Sequence, residues 1–144
     1  MEQLIAHLIG DYVLQSDWMA NNKTSKSIAA FFHALTYGIP FLFLTFSPLA
    51  LLIIVITHFV IDRWRLAKYI CYVKNFLSLP SAWREYSSNN KKDYVEGLHY
   101  KLSWENCKAT GYPSETPQFL AVWLMIIADN TMHLLINFLA LKYL

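Results

Sequence analysis

Charge is scarce in this chain of 144 residues: only 15% are Asp, Glu, Lys or Arg, against 56% hydrophobic and 16% aromatic. A soluble domain of this length rarely needs so apolar a composition. The net charge of +2 is too small to point to nucleic acid, and loop lysines beside a membrane account for it, so no duplex binding is expected. Cysteine is scarce too: Cys71 and Cys107 make no disulfide framework and are expected as reduced thiols on the cytoplasmic side. A basic leader is missing before the first apolar run, which itself carries His7 and Asp11, so that run is expected to stay in the mature protein. There is no internal repeat beyond a recurring His/Asp spacing, and the chain reads as a single membrane domain over 1–144.

What fills the chain instead is apolar segments. Residues 28–46 are nearly unbroken in their apolar character, and a helix rising about 1.5 Å per residue needs such a length to cross about 30 Å of hydrocarbon. Ser47 and Pro48 interrupt the run, and a second one continues to Asp62, Arg63, Trp64 and Arg65, which mark a membrane boundary. Thr116 and Pro117 read as the start of a third span. In the first segment His7, Asp11, Gln15 and Trp18 recur at helical spacing as one polar stripe. The expected fold is therefore all-α and polytopic, with about four transmembrane helices, near 3–19, 27–46, 48–72 and 117–142, and a cytoplasmic loop over about 73–116.

Basic residues orient this arrangement. Lys23 and Lys26 lie between the first two helices, and Arg63, Arg65, Lys68, Lys74, Arg84, Lys91, Lys92, Lys101 and Lys108 between the last two. Both loops are expected in the cytoplasm and both termini outside, which makes the chain a multi-pass protein of the inner membrane with the lipid bilayer as its partner. The long loop mixes Trp83, Tyr86, Tyr94, Tyr100, Trp104 and Tyr112 with charges. It suits either an interfacial cap or a lid that selects substrate.

Three His/Asp pairs stand four residues apart: His7 with Asp11, His58 with Asp62, and Asp129 with His133. Each pair shares a helix face, and with randomly placed Asp a given His would find such a partner only about 7% of the time. Ionisable groups inside a span cost about 2.5 to 3.5 kcal/mol each and need compensating partners. Measured from the cytoplasmic ends, Asp11, His33, His58 and Asp129 lie at similar depth, roughly 10 to 16 Å. Imidazole and carboxylate are the donors expected for zinc, with manganese or iron as competitors, and His7, Asp11, His33, His58, Asp62, Asp129 and His133 suffice for two ions. Two ions can activate a water and stabilise both oxygens of a phosphodiester displacement.

Other readings of the same residues stay open: the pairs serve as interhelical glue, or as a proton relay in a carrier. His33 has no acid at four residues and could instead bond a backbone carbonyl or Thr36. His99, among polar loop residues, is left out of the site. Arg63 and Arg65 anchor at anionic head groups by default, with phosphate binding as the sharper role; Gln15, on the stripe of Asp11, is a third candidate substrate contact.

The strings H-L-I-G-D-Y-V-L-Q-S-D-W at 7–18, H-F-V-I-D-R-W-R at 58–65 and A-D-N-T-M-H at 128–133 resemble a family of small phage and bacterial membrane proteins catalogued as an uncharacterised domain of unknown function. More remotely, the H-x-x-G-D and H-x-x-x-D spacings are similar to those of zinc-dependent phospholipase C, of single-strand nucleases and of membrane-bound metal-dependent hydrolases. That likeness implies phosphodiester hydrolysis with His7, Asp11, His58 and Asp62 as ligands. The soluble enzymes carry a further histidine where this chain has Ser16, Asp17 and Trp18, and their N-terminal Trp ligand has no counterpart. The expected function is a membrane-embedded, metal-dependent hydrolase of a lipid or nucleotide phosphoester, with Asp11 and Asp62 as catalytic carboxylates. The alternatives are a non-catalytic protein that binds a host membrane partner through its aromatic loop, and an ion or proton carrier.

Overall fold

Local capping signals divide the apolar segments into more helices than their hydropathy suggests. The structure, a computed structural model, describes residues 1–77, 104–114 and 116–144, and among these it contains helices and no strand. Helix α1 (Glu2–Leu8) runs into a π-helical turn, Ile9–Val13, and stops at Leu14. Ser16 then caps α2 (Asp17–Asn22), its hydroxyl accepting from the Met19 N–H at 3.3 Å. The helix expected over 3–19 is therefore interrupted, because a serine hydroxyl offers the backbone an alternative to the helical ladder.

Helix α3 (Ser27–Gly38) tightens into a 3-10 turn, Ile39–Phe43, where Pro40 removes a backbone donor. Ser47 caps and Pro48 begins α4 (Pro48–Trp64), as expected from the interruption in the sequence. Arg65 ends α4 in the left-handed region at φ 49, and α5 (Ala67–Phe76) follows, so the helix expected over 48–72 is two helices. A short α6 (Trp104–Cys107) and the 26-residue α7 (Gln118–Tyr143) complete the described elements. Among the described residues only α7 is long and apolar enough to cross a membrane, and the stretch Ser27–Phe43 is a shorter apolar helix.

The chain divides into two compact units, Met1–Leu66 with Asp129–Leu144, and Ala67–Ala128. In the first, α3 packs chiefly on α4, with Ala29, Ala30, Ala34 and Ala50 fully buried. Small residues let helix backbones approach closely. Tyr37, Phe41 and Ile54 form an apolar core with Ala6, Ala50 and Ala140. Beside it the interior turns polar: His7, His33, His58, Asp62, His133 and Asn137 are all buried. Large apolar side chains point the other way, including Phe31, Phe32, Leu35, Leu52 and Ile56.

The second unit ties α5 to the segment after α6. Tyr69 stacks on Trp104 with ring centres 4.9 Å apart, and Asn75 Nδ2 donates to the Gly111 carbonyl at 2.9 Å. Gly111 has φ 81, and a Cβ there would meet the Lys68 carbonyl at 2.1 Å, so glycine is required. Of the expected aromatic loop, Trp83, Tyr86, Tyr94 and Tyr100 lie outside the described residues, as do Arg84, Lys91, Lys92, His99 and Lys101.

Candidate metal centre

Two helices and the π turn bring four donors to one point. Asp11 comes from the π turn, His33 from α3, and His58 and Asp62 from successive turns of α4; all four are buried, with one ligand atom of each within 4.8 Å of all the others. His33 Nε2 lies 3.1 Å from both Asp11 Oδ1 and Asp62 Oδ2, and 3.0 Å from His58 Nε2. His58 Nε2 is 3.3 Å from Asp62 Oδ2 and 3.8 Å from Asp11 Oδ1. A ring nitrogen has one proton or one lone pair, so hydrogen bonding cannot serve all these neighbours at once. His33 Nδ1 is buried without a hydrogen-bond partner. Donors that crowd a shared centre in this way fit a cation better than they fit one another.

A second group adjoins the first through Asp62. Its Oδ1 lies 3.4 Å from His133 Nε2, which is also 3.4 Å from Asp129 Oδ2. Asp62, Asp129 and His133 thus form a further set of possible ligands on α4 and α7. The two groups are coupled through histidine: His58 Nδ1 and His133 Nδ1 are 3.2 Å apart. One must donate and the other accept, so with neutral rings only one of the two keeps a lone pair on Nε2. Filling the first group leaves His133 carrying its proton on Nε2, facing the two carboxylates. Both groups fill together only if these rings separate.

His7, expected as a ligand, sits elsewhere. Asn137 Nδ2 donates to the Tyr37 hydroxyl at 2.6 Å, so that hydroxyl gives its own proton to His7 Nδ1 at 2.9 Å. The other ring nitrogen then donates to Asn130 Oδ1 at 2.9 Å. Both nitrogens are engaged, and no lone pair is left for an ion. The cause is the π turn, whose wider winding between His7 and Asp11 changes the direction in which Asp11 points. Gly10 allows this, since a Cβ there would meet the Tyr37 carbonyl at 2.8 Å.

The candidate substrate contacts also separate. Arg63 donates through Nε to Ser27 Oγ at 3.1 Å and through Nη1 to the Thr24 carbonyl at 2.7 Å, which pins the connection between α2 and α3. Arg65 forms the left-handed end of α4. Gln15 is partly buried, with its Oε1 lacking a hydrogen-bond partner.

Four participants carried little or no signal in the sequence. Asn130 and Asn137 fall on the same stripe of α7 as Asp129 and His133, a periodicity that could have found them. Tyr37 reads as an ordinary core aromatic, yet its ring stacks on His58 at 3.6 Å. Lys23 reads as a loop charge, but its Nζ reaches Asp62 Oδ2 at 2.8 Å and Asp11 Oδ1 at 3.5 Å. Burial opposes the charge on Lys23, and Asp62 and Asp11 more than offset it, holding its pKa above the ordinary lysine value.

No curated protein and no solved structure matches the chain. One family does, over residues 1–95, the stretch that holds Asp11, Lys23, His33, His58 and Asp62, and the chain accordingly belongs to the family described as "Protein of unknown function (DUF3307)".

Proposed function

We propose that the protein is a membrane-embedded, metal-dependent hydrolase of a phosphoester, lipid or nucleotide, in which Asp11, His33, His58 and Asp62 hold one divalent ion. The observation that carries this reading is the convergence of two imidazole nitrogens and two carboxylates on one buried point, with one ligand atom of each within 4.8 Å of all the others. Zinc suits this donor set first, with manganese and iron as competitors. Such an ion lowers the pKa of water toward neutrality and offsets charge on phosphoryl oxygens.

The rest of the chemistry falls to the protein. Asp11 and Asp62 together would balance a divalent charge, and the second oxygen of Asp11 would orient a water, while Asp62 Oδ1 faces His133 Nε2 at 3.4 Å. His133 Nδ1 would accept a hydrogen bond from His58 Nδ1–H, which fixes the tautomer that exposes the His58 Nε2 lone pair. Asp129, with its side chain 24% exposed, is the carboxylate outside the first group that can receive a proton. A second ion on Asp62, Asp129 and His133 enters only with a shift of the His58 and His133 rings.

The membrane setting is part of the proposal: a multi-pass protein of the cytoplasmic membrane, about four spans, with Lys23 and the basic stretch after α4 in the cytoplasm and both termini outside. The length of α7 supports it, as does the outward display of Phe31, Phe32, Leu35, Leu52 and Ile56 around a polar interior. In water that distribution would be costly, whereas lipid accepts it.

Metal analysis after purification in mild detergent tests the reading. About one equivalent of a transition metal is expected, reduced at least tenfold in Asp62→Asn and in His58→Ala along with hydrolysis of a chromogenic phosphodiester. Less than one equivalent in the wild type, unchanged in His58→Ala, defeats it. The carrier reading has one observation in its favour: the bonded series Tyr37, His7, Asn130 and Tyr12 leads from the interior to an exposed tyrosine hydroxyl. Proton flux into vesicles that is lost in His133→Ala would favour it instead.

A further inference from the structure

The first donor group already contains a cation. Lys23 Nζ stands 2.8 Å from Asp62 Oδ2, 3.5 Å from Asp11 Oδ1 and 3.2 Å from His33 Nε2, against three of the four candidate ligands. One ammonium neutralises only one of the two carboxylates there, whereas a divalent ion would neutralise both. The lysine is the last residue of its helix turn, as the C-cap of α2. The backbone beside it is pinned by the Arg63 hydrogen bonds to the Thr24 carbonyl and to Ser27. Any departure of the ammonium is therefore a swing of its four-carbon stem, whose rotamers interconvert rapidly.

We propose that Lys23 is a tethered occupant of the ion site: its ammonium holds Asp11 and Asp62 together in the ion-depleted protein, is displaced by the incoming divalent ion, and then stands at the rim of the site as a contact for an anionic oxygen of the substrate. The inference rests on the reading of Asp11, His33, His58 and Asp62 as ion ligands. It makes one side chain serve two states. Without the ion it prevents two buried carboxylates from repelling each other, and with the ion it supplies a positive group whose natural partner is phosphate.

The test is acylation of lysines by an N-hydroxysuccinimide ester in detergent-solubilised full-length protein, read residue by residue by mass spectrometry, with exposed Lys26 as the internal reference. Relative to Lys26, Lys23 is expected to react at least tenfold more slowly in chelator than in saturating zinc. Inorganic phosphate should restore its protection only in the zinc-loaded protein. Zinc affinity, measured by competition with a chromophoric chelator, should rise at least tenfold in Lys23→Met. The labelling of the wild type decides the matter if Lys23→Met fails to fold. Equal Lys23 reactivity with and without zinc, while the wild type binds zinc, overturns this proposal and leaves the ion site standing. Failure of phosphate to protect Lys23 in the zinc-loaded protein overturns the rim contact. If neither wild type nor Lys23→Met binds zinc or manganese, the ion site itself is wrong and the proposal falls with it.

Discussion

His7 and His58 lie at equal spacing from an aspartate, and they differ in what their ring nitrogens meet. His58 Nε2 faces His33 and both carboxylates, while His7 has one partner on each nitrogen. His7→Ala should therefore keep the bound ion and lose stability, because the Tyr37 hydroxyl and Asn130 lose a buried partner at about 1 to 3 kcal/mol. Metal content and a thermal melt on the same sample separate the two effects; loss of the ion with an unchanged melt would make His7 a ligand after all. The His58 and Asp62 pair was legible in the sequence, because α4 is regular between them and spacing then equals geometry. Lys23 was not legible, since nothing local distinguishes a solvated loop lysine from one whose stem turns inward.

At the scale of elements, two departures from regular helix shape the site. The π turn Ile9–Val13 presents Asp11, and Gly10 lets it approach α3 at the Tyr37 carbonyl. Gly10→Ala should cost about 1 to 3 kcal/mol by forced separation of the two elements, as overpacking does. It should also weaken ion binding, since Asp11 moves with the turn; a titration showing unchanged affinity would place Asp11 outside the ion's ligand set. Arg65 ends α4 at φ 49, a conformation that costs a residue with a Cβ about 1 kcal/mol. Arg65→Gly should raise stability by up to about 1 kcal/mol in a denaturation midpoint, and a loss would mean that the Arg65 side chain contributes more than its backbone costs. Neither feature is written in hydropathy, which carries no signal for a π turn or for a left-handed helix end.

For the molecule as a whole, an ion held by these imidazoles and carboxylates would link protonation to the fold. An ion bound only by the folded state at about a hundred times its dissociation constant adds about 2.7 kcal/mol. A chelator should then lower the melting temperature by about 5 to 10 °C. Imidazole must be unprotonated to ligate, so ion binding is full above the ordinary histidine range near about pH 6.5 and is lost as pH falls through it. Two histidines in the first group make the loss as steep as about a hundredfold per pH unit at its limit. Titration of zinc between neutral and mildly acidic pH checks this, and a flat profile would exclude histidine from the ligands.

The sequence by itself determined the all-helical class, the break at Ser47 and Pro48, the length of α7, and the candidacy of His33, His58, Asp62, Asp129 and His133. These follow from local spacing and composition, which act within one or two helical turns. Tertiary structure alone decided that His7 is satisfied by Tyr37 and Asn130, that His58 and His133 share one proton between facing nitrogens, and that Lys23 enters the donor group. Each of those depends on a contact between elements far apart in the chain, set by how closely small residues let the helices approach.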